Sequence, residues 1–417
     1  MTSNTSSVIS GSLTGAADSR FEWTKREIAK TAIGLLIVVG LIAFATWLGN
    51  DPNFGSPASL SLLIGAALGI VFERGRFCFF CIFRDAIEHR VTPGAISILI
   101  ALAVGAVGYS IVFALFLPTP NGEYLPPAAH IGPVSIALVL GAATFGLGMV
   151  LSGACIAGHL YRLGQGSLRA IPSLAGVVVG FAIALLGWND IYLSQIQEAP
   201  VVWLPDLIGY NGALILTLLI LGVIAFFVLR SSRKSDRNYE VLENPFTPKA
   251  IAYQLFRKRW SPSVTGSIVG LIGTIAYVRI EPLGVTRQIG SSTRTFLDSQ
   301  GLLPEVLHGL DTLAGCIGVV TEVITNNGWI ILGITLASFA AAIAGGRFKF
   351  EKLSVKGTLS GLVGGVLLGW GAMISLGCTI GVLLSGIQAF SLAGWVFGLV
   401  LVAVVFAGIK LKLHRFV

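Results

Sequence analysis

Residues 146–166 read GLGMVLSGACIAGHLYRLGQG, and residues 369–395 read GWGAMISLGCTIGVLLSGIQAFSLAGW. With Cys155 laid on Cys378, a shift of 378 − 155 = 223 positions, the two stretches also match Gly146 with Gly369, Gly148 with Gly371, Ser152 with Ser375 and Gly158 with Gly381. A Ser-Leu-Ala-Gly comes after each cysteine, at 173–176 beyond the first stretch and at 391–394 near the end of the second. An apolar, glycine-rich, cysteine-bearing segment that occurs twice predicts a chain built from two related halves. Duplicated membrane proteins whose helices break near the midplane are a common build of transporters. The expected fold is therefore an all-α polytopic membrane protein, with two pseudo-symmetric halves of long spanning helices and short re-entrant ones.

Composition agrees. Of 417 residues, 54% are hydrophobic and 12% charged, and the mean hydropathy is +0.84; a soluble domain carries roughly 25% charged residues. Spans of about 18 or more apolar residues run over 31–48, 94–117, 171–188, 207–229, 328–346 and 392–409. Shorter or glycine-broken apolar segments cover 60–72, 77–83, 135–156, 264–278, 302–320 and 357–374, and these contain or abut every cysteine. The expected organisation is a Ser/Thr/Gly-rich disordered, cytoplasmic tail (1–28), an extra membrane anchor (29–49) and a first membrane repeat (57–229). A basic cytoplasmic linker (230–262), a second repeat (263–410) and a short cytoplasmic tail (411–417) follow.

The net charge of +8 is gathered in the 230–262 linker, at Arg347, Lys349, Lys352 and Lys356, and at Lys410, Lys412 and Arg415. Basic loops mark the cytoplasmic side, which places the linker and the C-terminus there, in a plasma (inner) membrane. Topology accounts for these charges, and nothing else in the chain favours nucleic acid. No P-loop is present, so direct drive by ATP is not expected. Five cysteines are an odd number at apolar sites, so free thiols are expected rather than a disulfide framework. With three methionines and five histidines, no soft-metal site and no cofactor site is legible.

The cysteines carry the chemistry. Cys78-Phe-Phe-Cys81 matches C-x-x-C, but without a second pair or nearby histidines it does not complete a zinc site. On a helix both sulfurs face one way. Gly153, Cys155, Gly158, Tyr161 and Arg162 place a thiol, a phenol and a cation within about two turns. Tyr161 and Arg162 also suit interfacial anchoring, and His159 suits either an interfacial position or a proton relay. A free cysteine is often only a small buried hydrophobe; three, each beside glycine or charge, suggest a path lined for a soft, sulfur-like cargo.

Three segments, ERGRFCFFCIFRD at 73–85 and the two quoted above, resemble the signature segments of the YeeE/YedE family of sulphur-transport membrane proteins, in the order of its thiosulfate-uptake members. Pro282-Leu-Gly-Val-Thr286 is similar to that family's Pro-x-Gly-[Val/Ile]-Thr stretch. The resemblance spans residues 57–410. It implies long spanning and short re-entrant helices pinched at the middle, with thiosulfate or a related small sulfur anion as cargo and Cys78, Cys155 and Cys378 at the centre. Arg84, Gly153, Gly158, Tyr161, Arg162, Thr286 and Gly377 come with those segments as supporting positions. Cys81 stands where relatives often carry a small residue, Gln165 where an acidic one is expected, and Cys316 in no recognised motif.

For such a cargo, half-helix N-termini supply positive potential at the midplane, and neutral thiols donate weak hydrogen bonds. Several weak sites in series pass an anion on without trapping it. A rival from a different class is a membrane thiol oxidoreductase or sulfurtransferase using Cys78 and Cys81, which needs an activated thiolate. No soluble domain follows the last span, so a separate cytoplasmic sulfurtransferase-like (TusA-type) partner is expected to receive the cargo.

Overall fold

A computed structural model describes residues 23–120, 122, 124–232, 248–310 and 318–416. Cys316 and most of the N-terminal tail lie outside the described residues. Among those described there is no strand, and eight helices are long and apolar enough to cross a membrane. The chain is an all-α polytopic membrane protein.

The first half runs α1 (Lys25–Asn50), α2 (Gly55–Gly75), α3 (Phe79–Glu88), α4 (Pro93–Phe116), α5 (Ile136–Ser152), α6 (Ile156–Gly164) and α7 (Ala170–Leu186). A 64° bend joins α7 to α8 (Trp188–Ile196), and α9 (Leu204–Ser231) follows. The second half runs α10 (Pro248–Phe256), α11 (Pro262–Arg279), α12 (Arg287–Ser299), α13 (Asn326–Ala344) and α14 (Val355–Ile374). It ends with α15 (Thr379–Gln388), π-wound over Thr379–Ser385, and α16 (Leu392–Lys410).

Local signals set the starts. Thr24 and Glu27 form a capping box on α1, and the hydroxyls of Ser135, Ser261, Thr325 and Ser354 accept amides in the first turns of α5, α11, α13 and α14. Such caps satisfy amides that have no intrahelical partner.

Packing interleaves the halves. α2 packs on α13 and α11 on α4; α7 packs on α14 and α16 on α5; α3 meets α16 and α12 meets α7; α5 and α14 pair with each other. Each of these contacts thus joins one half of the chain to the other. Glycine makes the central pair possible: a methyl on Gly148 would lie 2.7 Å from the Leu368 amide, and one on Gly371 2.6 Å from the Gly141 carbonyl.

This corrects one expectation. The glycine-bearing stretches at 60–72, 264–278 and 357–374 are not broken; they lie within the long helices α2, α11 and α14, whereas 135–156 breaks only at its end, where α5 stops at Ser152 and Gly153 turns the chain into α6. Small residues let membrane helices approach closely without ending them. The apolar stretch 302–320 does not form a helix in its described part; Pro304 interrupts it, and Gly301 and Gly309 take φ of 66°. α1 and α9 lie at the periphery, with Leu36, Val39, Leu219 and Phe227 exposed as a lipid-facing surface requires.

Candidate functional site: four helix starts at the centre

Four of the short helices begin at the middle of the bundle, and the cap residue of each belongs to the sequence-selected set. Cys78 caps α3, Cys155 caps α6, Thr286 caps α12 and Cys378 caps α15. The connectors carrying Cys78 and Cys155 enter from the side bearing the basic loops; those carrying Thr286 and Cys378 enter from the opposite side. The first amides of each helix lack intrahelical acceptors and carry its positive dipole end, so four such ends converge.

The turns that deliver the cysteines share a conformation. The residue two positions before each is left-handed: Arg76 at φ 52°, Gly153 at φ 81° and Leu376 at φ 61°. In the two duplicated segments a serine braces the turn. Ser152 Oγ donates to the carbonyls of Gly148 and Ala154 at 2.8 and 3.0 Å. Ser375 Oγ reaches those of Gly371 and Gly377 at 2.6 and 3.1 Å. The partners are again 223 positions apart.

The thiols form a series. Those of Cys78 and Cys155 face each other, and Gly158 leaves the room: a methyl there would sit 3.0 Å from the Cys78 sulfur and 3.5 Å from that of Cys155. Cys155 Sγ accepts the Gly158 amide at 3.4 Å and faces the Thr379 hydroxyl. The Cys378 sulfur meets the amides of Gly381, Ile380 and Val285 and faces the Thr286 hydroxyl. Cys78, Cys155 and Cys378 are 0, 1 and 1% exposed, so no open bore runs past them. The Oγ1 atoms of Thr286 and Thr379 are buried without a hydrogen-bond partner. Such groups are rare in folded proteins.

On the basic side a cavity of about 450 Å³ opens beneath Cys81. Its lining includes Arg76, Arg84, Arg162, Arg169, Arg347 and Lys349, against one carboxylate, Glu351. Arg162 donates to the Gly153 carbonyl at 3.1 Å and to Cys81 Sγ at 2.6 Å, which places the second cysteine of the C-x-x-C at the cavity floor. Tyr161, 4% exposed, packs on Phe72 with ring centroids 6.3 Å apart. Arg84 sits at the rim, paired with Asp85 at 3.0 Å. At the opposite end a smaller cavity is lined by His130, Ser135, Ser375 and Leu376. Among the described residues all four cysteines are free, and no group of three His, Cys, Asp or Glu is placed to hold a metal.

The structure therefore brings Cys78, Cys155, Cys378, Gly153, Gly158, Gly377 and Thr286 to one centre and puts Tyr161, Arg162 and Arg84 at the basic cavity. Sequence reasoning missed Thr379 and Arg169 and treated Arg347 and Lys349 as topology signals only. The position of Thr379 directly after Cys378 was the available clue to the first.

Comparison with known proteins accords with this geometry. The sulphur transport family model matches residues 74–407. The thiosulfate transporter TsuA of Escherichia coli K12 is 30% identical over 80% of this chain and 89% of its own length. The protein of that name from Spirochaeta thermophila is 26% identical over 80% of the chain and 92% of its length. The probable transporter YedE of E. coli is 28% identical over 53% of the chain. These relatives are transporters rather than enzymes, which sets aside the oxidoreductase built on Cys78 and Cys81. A family match over most of the membrane region, on a chain with this centre, makes the protein a member of the sulphur transport (YeeE/YedE) family.

Proposed function

We propose that this protein carries thiosulfate, or a closely related small sulfur-containing anion, across the plasma membrane into the cytoplasm by hydrogen-bond relay along Cys378, Cys155 and Cys78. The observation that carries the reading is the convergence of four helix N-termini on four buried weak donors, three thiols and the Thr286 hydroxyl. A dianion at the bilayer centre is costly. Helix ends stabilise it there without a fixed cation that would hold it. Neutral thiols add weak, polarizable donors suited to the terminal sulfur, and a series of weak sites releases what it binds. The names of the two most completely matched relatives support thiosulfate as cargo. The helix pairing between the halves supports a duplicated frame whose two connectors from each side make up this centre.

In this reading Gly153, Gly158 and Gly377 shape the turns, Tyr161 and Arg162 receive the anion below Cys78, and Arg84 draws it to the rim. The C-terminus is cytoplasmic, beside the basic loops, and a separate sulfurtransferase-like (TusA-type) protein takes the cargo there. The test is uptake of labelled thiosulfate by cells lacking their own thiosulfate systems. Intact protein is expected to restore uptake, and Cys78→Ala, Cys155→Ala and Cys378→Ala each to abolish it at unchanged membrane levels. Equal uptake by all four would refute the relay.

A further inference from the structure

The arginines around the basic cavity are not equivalent. Arg347 spends its Nε and Nη2 edge on Glu73, at 2.6 and 2.8 Å, and its Nη1 on the Arg257 carbonyl at 2.9 Å. Arg162 is held by Gly153 and Cys81, and Arg84 by Asp85. Arg169 is different. Its Nε and Nη2, the same two-point edge that Arg347 uses on a carboxylate, are shut from solvent and have no hydrogen-bond partner. His159, on α6, is 2% exposed, lines the same cavity and leaves Nε2 without a partner. The ring lies within electrostatic range of both Arg162 and Arg169. Two helix starts add to the positive potential. Arg169 itself precedes α7, and its Nε would lie 3.5 Å from a methyl on Gly357 in the first turn of α14. The one carboxylate on the lining, Glu351, accepts the Ser167 hydroxyl at 2.5 Å and lies within electrostatic range of Arg169 without taking a hydrogen bond from its Nε or Nη2.

A buried guanidinium edge without an acceptor is costly to maintain, and its geometry fits two oxygens of one anion. We propose that Arg169 and His159 form a second anion site, specific for a tetrahedral dianionic oxyanion, in which cargo that has left the thiols rests by its oxygen end. The inference rests on the transport reading above and adds a division of labour. The thiols accommodate the terminal sulfur, whereas the guanidinium edge and the imidazole take the oxygens. Sulfate, which has oxygens but no terminal sulfur, is therefore a ligand of this site.

The experiment titrates thiosulfate and sulfate into the purified full-length protein in detergent at constant ionic strength, with chloride as control. Binding is read calorimetrically and by the shift in unfolding temperature. The intact chain is expected to bind both oxyanions, and Cys155→Ala, whose thiol is not on the cavity lining, to bind sulfate as the intact chain does. Arg169→Lys, which keeps the charge and loses the fork, and Arg169→Gln should bind each about ten-fold more weakly or worse, and His159→Phe several-fold more weakly. Unchanged affinity in Arg169→Lys, saturation by chloride alike, or failure of sulfate to bind overturns the proposal. Uptake by the intact chain is scored in parallel. Uptake without Arg169-dependent binding sinks this site alone, and Arg169-dependent binding without uptake sinks the transport reading alone.

Discussion

At the scale of single residues, Thr286 is the position where the four-fold arrangement departs from thiol chemistry. It caps α12 as Cys78 caps α3, and its hydroxyl faces Cys378 without a partner. Thr286→Val keeps shape and removes the donor. One hydrogen bond is worth about 0.5–1.5 kcal/mol, so thiosulfate uptake should fall several-fold to about ten-fold, and Thr286→Ser should restore it. Gly158→Ala puts a methyl 3.0 Å from the Cys78 sulfur and 3.5 Å from that of Cys155, the first closer than an ordinary contact. Overpacking of that kind costs about 1–3 kcal/mol, and uptake should collapse while helical content by circular dichroism stays unchanged. The three central cysteines were legible in sequence because each stands beside glycine or arginine in an apolar run. Arg169 was not, since nothing in its neighbourhood distinguishes an arginine with a free fork from one that is paired; only the partners on other helices decide that.

Among the elements, the braced turns give the sharpest comparison. Ser152 and Ser375 each tie the last turn of a long helix to the residue just before a cysteine. Ser152→Ala and Ser375→Ala each leave buried carbonyls short of a donor, a loss of about 1–3 kcal/mol. The two variants should lower the unfolding temperature by similar amounts, read by thermal unfolding in detergent. Markedly unequal losses would mean the duplicated segments are not mechanically alike. The repeat of these segments could be found by eye because glycine, serine and cysteine are fixed by tight geometry. The rest of the frame is carried by interchangeable apolar residues facing lipid or one another, which leave no such trace. For the same reason the glycines of α2, α11 and α14 look like breaks in the sequence while Gly153 is one: the spacing of glycine does not say whether it faces a neighbouring backbone or ends a helix.

Across the whole molecule, one buried ion pair joins distant parts of the chain at the basic face. Glu73, 0% exposed, receives Arg347 from the end of α13, with Arg74 alongside at 3.7 Å. Removing one partner of a buried pair strands the other charge at about 3–5 kcal/mol. Arg347→Ala should therefore sharply reduce the amount of folded protein recovered from membranes, whereas Lys349→Ala, on the same cavity but solvent-exposed, should leave recovery unchanged. The fold class and the sidedness of charge followed from composition, because the bilayer imposes both. The cavity did not, because it is assembled from the α2–α3 turn, the α6–α7 turn and the α13–α14 loop. Its position at one mouth only has a kinetic meaning. On the transport reading proposed above, a conduit whose interior is made of helix ends from both sides has no built-in arrow, and its two directions differ only at the rims. A deep electrostatic well at one rim lengthens the dwell of each ion there, so the step that empties the well sets the turnover. The pace of the whole molecule then belongs to whatever consumes the ion on that side, and supply on the other side matters only until the well is full.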